Sequence, residues 1–126
     1  MRKNSWLIAC FLFTASCCFS CSQLDDHNIS IHVSDSERYY KMYAHFSKNR
    51  TLEVDRFMNT KIGSRNDMSF ENSRIDGKLA LNDHTTFYIK KYPGYLEIKF
   101  DKDENSVEAY QRMKSMCEGI KNVLAN

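Results

Sequence analysis

Residues 86–100 read TFYIKKYPGYLEIKF, and this stretch decides the fold class. Apolar and polar side chains alternate on both sides of Tyr92-Pro93-Gly94-Tyr95, which is the period of a half-buried strand. Proline presets the first central position of a tight turn and glycine suits the second, so the two halves should pair as an antiparallel hairpin. The alternation predicts an inward row of Phe87, Ile89, Leu96, Ile98 and Phe100.

Further alternating segments predict the rest of a sheet. Residues 29–33 alternate between apolar and polar, and the run 39–47 alternates again, so these two segments should form another hairpin. A strand is expected over 75–81, where Gly77 indicates a bulge or a close contact. Residues 64–74 are mostly polar and are expected to form a loop or a short edge strand.

Two segments show the 3.6-residue period of helices. Thr51 is the expected N-cap of the first, and Gly63 should adopt the left-handed conformation just beyond its end. Asn105 is the expected cap of the second, with Glu108 completing a capping-box pair, and Gly119 predicts a close contact between this helix and the sheet. The apolar stripes are Val54, Phe57, Met58 and Ile62 in the first helix, and Val107, Tyr110, Met113, Cys117, Ile120 and Leu124 in the second.

This order of elements predicts an α+β two-layer sandwich. An antiparallel sheet of four to five strands should carry two helices on one face, in a ββα-ββα-like order, and leave its other face open to water or to a partner. The open face should carry His32, Tyr39, Lys41, Tyr43, His45, Tyr88, Lys90, Tyr95 and Lys99.

Five of these residues form the candidate binding face, because tyrosine offers a large contact area and one hydroxyl at modest entropic cost. They are Tyr39, Tyr43, His45, Tyr88 and Tyr95. The alternative is that they are ordinary cross-strand pairs that stabilise a solvated sheet.

The N-terminal segment differs in character from the rest. Arg2 and Lys3 precede an apolar run from Trp6 to Ala15, which is too short for a membrane span and typical of a signal peptide. We therefore expect a signal peptide over 1–16, a lipidated cysteine with a polar tether over 17–28, and a single small α+β domain over 29–126.

The segment Phe13-Thr14-Ala15-Ser16-Cys17 resembles the lipobox of bacterial lipoproteins. The resemblance implies that Cys17 is acylated, with palmitate-type chains, and becomes the first residue after cleavage; Cys21 is the alternative site. The pair Asp25-Asp26 resembles the acidic export tags of Bacteroidota surface lipoproteins. An anchor in the bacterial outer membrane, periplasmic or surface-exposed, is what these similarities imply. The alternative is an ordinary secretory signal.

The charge balance argues against a nucleic-acid partner. Of the 18 lysines and arginines only Arg2 and Lys3 precede Cys17, and no acidic residue does, which leaves 16 basic against 16 acidic residues. A neutral domain with interspersed charges has no field that would attract a polyanion over long range.

The sequence offers little that points to a metal site or to catalysis. His27, His32, His45 and His84 show no ligand spacing, so we expect no metal and no cofactor. We find no catalytic motif, and Cys117 falls on an apolar stripe, which favours a buried thiol over a nucleophile. The sequence therefore favours a non-enzymatic binding or assembly module, with an envelope protein or a glycan as partner. The alternative is a small secreted or periplasmic enzyme or enzyme inhibitor.

Overall fold

The computed structural model describes residues 29–126, so Cys17, Cys21 and the rest of the leader lie outside the described residues. The described strands are β1 Ser30–Asp35, β2 Tyr39–His45, β3 Ile75–Ala80, β4 Thr86–Tyr92 and β5 Tyr95–Asp101. The helices are α1 Thr51–Met58 and α2 Val107–Ala125. The observed order is thus ββα followed by βββα, because the second half carries three strands.

The strands form one antiparallel sheet in the order β1-β2-β5-β4-β3. The turn between β4 and β5 depends on Gly94, whose φ is +84°. A Cβ atom at Gly94 would also lie 2.9 Å from the carbonyl oxygen of Phe46, so the site needs glycine both for conformation and for space.

Both helices pack on the same face of the sheet, and the prediction of an α+β sandwich is confirmed. The core lies between the two layers, where the predicted inward row of β4 and β5 meets the apolar stripes of the helices. Val107 is an exception: it was predicted in the stripe of the second helix but is 70% exposed. Its largest fully buried side chains include Tyr40, Met42, Met58, Phe70, Phe87, Ile89, Leu96, Ile98, Phe100, Met116, Ile120 and Leu124.

The predicted ends of the first helix are wrong. Thr51 is the first residue of α1, and its Oγ1 accepts a hydrogen bond from the backbone N–H of Gly94 at 2.9 Å. Gly63 has a right-handed backbone with φ −62°, because the chain continues through a wider turn; Asp67, at φ +54°, is the left-handed residue. A Cβ at Gly63 would lie 2.9 Å from the carbonyl oxygen of Met68, so lack of space explains this glycine.

The predicted cap and the predicted glycine contact of the second helix are also wrong. Ser106 caps α2, with its Oγ accepting from the N–H of Ala109 at 3.1 Å. The Nδ2 of Asn105 is turned towards the sheet, where it donates to the carbonyl of Thr86 at 2.9 Å. Gly119 approaches the other helix, since a Cβ there would collide with the ring of Phe57 in α1.

The strand β3 is more regular than expected. It pairs with β4 residue for residue, Gly77 lying opposite Ile89, so Gly77 marks no bulge. A Cβ atom there would meet nothing within 4 Å, which leaves the predicted close contact without support. Residues 64–74 form a short 3₁₀-helix and a loop, which was the first of the two predicted alternatives.

Candidate functional site

The uncovered face of the sheet brings the five candidate binding residues onto one surface. Their side chains alternate with the buried ones along β2, β4 and β5. The register places His45 opposite Tyr95, Tyr43 opposite Glu97, and Tyr88 opposite Lys99. Tyr39 lies at the far end of β2 from His45. Their role in binding remains a prediction. The geometry places His45 and Tyr95 in one group and Tyr39 in another, whereas Tyr43 and Tyr88 belong to neither.

One group is an aromatic row made of His45, Tyr95 and Tyr92. The ring centroids are 4.8 Å apart for His45 and Tyr95, and 4.9 Å apart for the stacked rings of Tyr95 and Tyr92. The guanidinium of Arg74 lies 6.0 Å from the centre of the Tyr92 ring. These rings pack against one another across β2, β5 and β4 at one end of the sheet. The row therefore stabilises the three central strands more than it offers free ring faces. Sequence reasoning missed Tyr92 because it assigned that residue to the turn.

The other group is a basic row made of Lys41 and Lys99, with Tyr39 beside it. Lys41 lies directly opposite Lys99 in the β2–β5 ladder, an arrangement that destabilises a sheet because like charges face each other. Their Nζ atoms lie 5.7 and 4.8 Å from the centre of the Tyr39 ring, which partly offsets the repulsion. Among residues 29–126 neither ammonium group forms an ion pair. The basic row is therefore an unneutralised pair of cations.

Two tyrosine hydroxyls on the same face are held by carboxylates. Tyr88 donates to Asp76 Oδ1 at 2.7 Å, and this hydrogen bond raises the pKa of Tyr88 to about 12. Tyr95 donates to Glu97 Oε1 at 2.8 Å; partial burial and then this bond raise the pKa of Tyr95. Both phenols therefore stay protonated near neutral pH, and the carboxylates of Asp76 and Glu97 each already accept one hydrogen bond. Tyr43, 37% exposed, contributes the most accessible ring among the four tyrosines.

A buried ion pair on the helix side of the sheet was missed by the sequence analysis. The Nζ of Lys91 lies 3.3 Å from Asp55 Oδ1, and the two side chains are 3% and 2% exposed. Lys91 also donates to the backbone carbonyls of Phe70 at 3.1 Å and Ser73 at 2.6 Å. Burial raises the pKa of Asp55, and Lys91 opposes that shift.

The signal for this pair was present in the alternation itself. Lys91 continues the inward positions of Phe87 and Ile89, and Asp55 lies next to the buried Val54. A lysine is almost never fully buried without a partner, so a lysine at an inward position indicates a buried counterion nearby.

Nucleophilic catalysis and metal binding have little support among the described residues. Cys117 is buried, and burial raises the pKa of its thiol to about 12, so it is a poor nucleophile. Within residues 29–126 we find no cluster of three His, Cys, Asp or Glu side chains that could hold a metal, and no helix long and apolar enough to span a membrane.

Comparison with protein families, with curated proteins and with solved structures found no match for the chain.

Proposed function

We propose that this protein is an envelope-anchored lipoprotein whose uncovered sheet face binds an acidic glycan. The observation that supports this proposal is the basic row, in which Lys41 and Lys99 oppose each other and neither ammonium forms an ion pair among residues 29–126. An anionic chain laid across β2 and β5 would bridge the two ammonium groups and remove their repulsion. Tyr39 and Tyr43 would supply contact area on either side.

The charges at the centre of the face favour a polar polymer over a protein partner. A stable protein interface has charged residues depleted from its centre. The centre of this face carries Lys41, Lys99, Lys90 and Glu97, so a polar, charged ligand suits it better.

Titration of the full chain with an acidic oligosaccharide, such as oligogalacturonate, tests the proposal. The joint variant Lys41→Gln, Lys99→Gln should lose at least tenfold in affinity, and the binding of the unaltered protein should weaken as salt rises, because exposed charges are screened. The matched control is Lys121→Gln, which removes an exposed lysine from the second helix, on the covered side of the sheet. Equal affinity for a neutral oligosaccharide would contradict the proposal.

A second variant tests the candidate binding face as a whole. Changing Tyr39, Tyr43, Tyr88 and Tyr95 together to Ser should abolish binding while the domain remains folded, as judged by circular dichroism. Retention of the glycan by a folded quadruple variant would show that the aromatic residues serve the sheet alone.

The lipid anchor rests on the leader and is tested separately. Metabolic labelling with a fatty acid should mark the unaltered protein and lose the label in Cys17→Ala, whereas loss in Cys21→Ala alone would move the site to the alternative cysteine. Absence of label in the unaltered protein would remove the lipoprotein proposal and leave an ordinary secretory signal.

A further inference from the structure

The outer edge of β1 has no strand beside it among residues 29–126, because β1 is the first strand in the order of the sheet. Edge strands usually carry charged residues, proline or a bulge that prevents pairing with another chain. Residues 29–34 read ISIHVS, with no acidic residue, lysine, arginine or proline, and β1 pairs with β2 without a bulge. The other edge strand, β3, carries Asp76 and Lys78. The edge of β1 is therefore open to pairing with a further strand.

The hydrogen bonds beside the first turn show which backbone groups of β1 point outward. The N–H of Ser36 donates to the carbonyl of Tyr39 at 2.8 Å. Bonded and non-bonded pairs alternate along an antiparallel ladder, so counting back along the register makes the even-numbered residues of β1 bond to β2. The odd-numbered residues direct their N–H and C=O groups away from the sheet; they are Ile31, Val33 and Asp35.

Two of these residues also carry apolar side chains on the helix side of the sheet. Ile31 and Val33 lie opposite the buried Ala44 and Met42 of β2, yet Val33 is 42% exposed. Beside Ile31 is a pocket of about 320 Å³ whose apolar lining comes from Ile29, Ile31, Leu124 and Ala125. The edge thus presents an exposed valine and, one turn of the pleat away, an apolar recess.

A second copy related by a two-fold axis through His32 matches both features. The axis places Ile31 opposite the partner's Val33 on the same side of the sheet, where the outward groups of the two residues form a hydrogen-bonded pair. The partner's Val33 then lies next to the pocket beside Ile31. Among the registers that keep apolar residues opposite apolar ones, this register alone pairs all of residues 29–35.

The charges of the edge allow this approach. No charged side chain lies within residues 29–34, so no like charges meet at the centre of the pairing. The charged residue of β1 is Asp35, at the end of the strand, and its Oδ1 already lies 2.6 Å from the Nζ of Lys102.

We propose that the edge of β1 is a dimer interface, through which two copies of this chain join their sheets into one continuous antiparallel sheet. The two-fold axis is perpendicular to the sheet, so the uncovered faces of both copies lie on the same side. Backbone hydrogen bonds supply most of the contact, and one strand edge is a small interface, so the dimer is weak. The inference does not depend on the proposed glycan binding.

Sedimentation of the full chain in density-matched detergent tests the dimer. The protein mass should rise from one copy to two as the concentration increases from micromolar to about 1 mM. Val33→Lys places a charge on the apolar side of the edge and should weaken dimerisation at least tenfold. The matched control, Ala80→Lys, places the same charge at an exposed position of the other edge strand and should leave dimerisation unchanged. A monomer at every concentration, or equal dimerisation of a folded Val33→Lys protein, would overturn the proposal.

Amide hydrogen exchange identifies what covers the edge. The N–H groups of Ile31 and Val33 should exchange slowly in the concentrated protein and rapidly after dilution, whereas the N–H of His32, bonded to β2, should stay protected in both. Protection of Ile31 and Val33 that does not change on dilution would show that a segment of the same chain covers the edge, and would overturn the dimer. Rapid exchange of both at every concentration would overturn it as well.

Discussion

Lys91 is the residue whose loss should harm the fold most, because its removal leaves Asp55 as an uncompensated buried charge. We expect Lys91→Met to lower the free energy of unfolding by about 3–5 kcal/mol. Chemical denaturation measures this loss, with Lys90→Met as the control, since Lys90 lies on the other face of β4.

The joint variant Asp55→Leu, Lys91→Met should recover most of that loss. A buried ion pair that is replaced as a whole by packed apolar side chains leaves no orphaned charge. A double variant as unstable as Lys91→Met alone would contradict this account of the pair.

Asp55 should also impose a distinct pH dependence on stability. Burial raises its pKa in the folded state above the ordinary value of 3.8, so the folded protein keeps the proton at a pH where the unfolded chain has lost it. Its contribution to stability is therefore fully present below the unfolded pKa and is lost as pH rises through the folded pKa.

The unaltered protein should accordingly gain stability relative to Asp55→Asn when the pH is lowered from 7 towards 4. Asp35 has the opposite effect: Lys102 and Tyr110 lower its pKa, so its contribution to stability is lost as the pH falls through that lowered value. Both proteins contain Asp35, so the difference in stability between them removes this effect. A difference that stays constant or shrinks on acidification would contradict the raised pKa.

At the scale of the elements, the cap of α2 can be tested by a single substitution. Ser106→Ala removes the acceptor for the N–H of Ala109 and should cost about 1 kcal/mol. Ser115→Ala, at an exposed position within the same helix, should cost nothing, because alanine is the better helix former. Equal effects of the two substitutions on the denaturation midpoint would show that the Ser106 hydroxyl does not cap the helix.

The contact between the two helices at Gly119 gives another test. Alanine favours a helix by about 1 kcal/mol over glycine, but its methyl group would collide with Phe57. Because overpacking typically costs about 1–3 kcal/mol, we expect a net loss of about 1 kcal/mol for Gly119→Ala. In a Phe57→Leu background the shorter side chain makes room, so the same substitution should become neutral or stabilising. Stabilisation in the unaltered background would contradict the close approach.

For the whole molecule, the alternation of side chains was sufficient to predict the sheet, the side that the helices cover and the uncovered face. These features depend on local periodicity, which the sequence displays directly. The caps were less predictable because Asn105 and Ser106 are adjacent and both are good cap formers. Contacts between side chains that are distant in the sequence could not be predicted from it. The Gly119 contact with Phe57 and the Lys91 pair with Asp55 both depend on how α1 lies on the sheet.

The unneutralised basic row is the feature on which the proposed function of the whole molecule depends. If Lys41 and Lys99 are kept for binding, their repulsion is a cost that the free protein bears, and neutralising one of them should relieve it. The most direct measurement therefore compares stability and oligogalacturonate affinity in the same Lys41→Gln protein. The account predicts unfolding at equal or higher temperature together with weaker binding. Lower stability with unchanged affinity would contradict it.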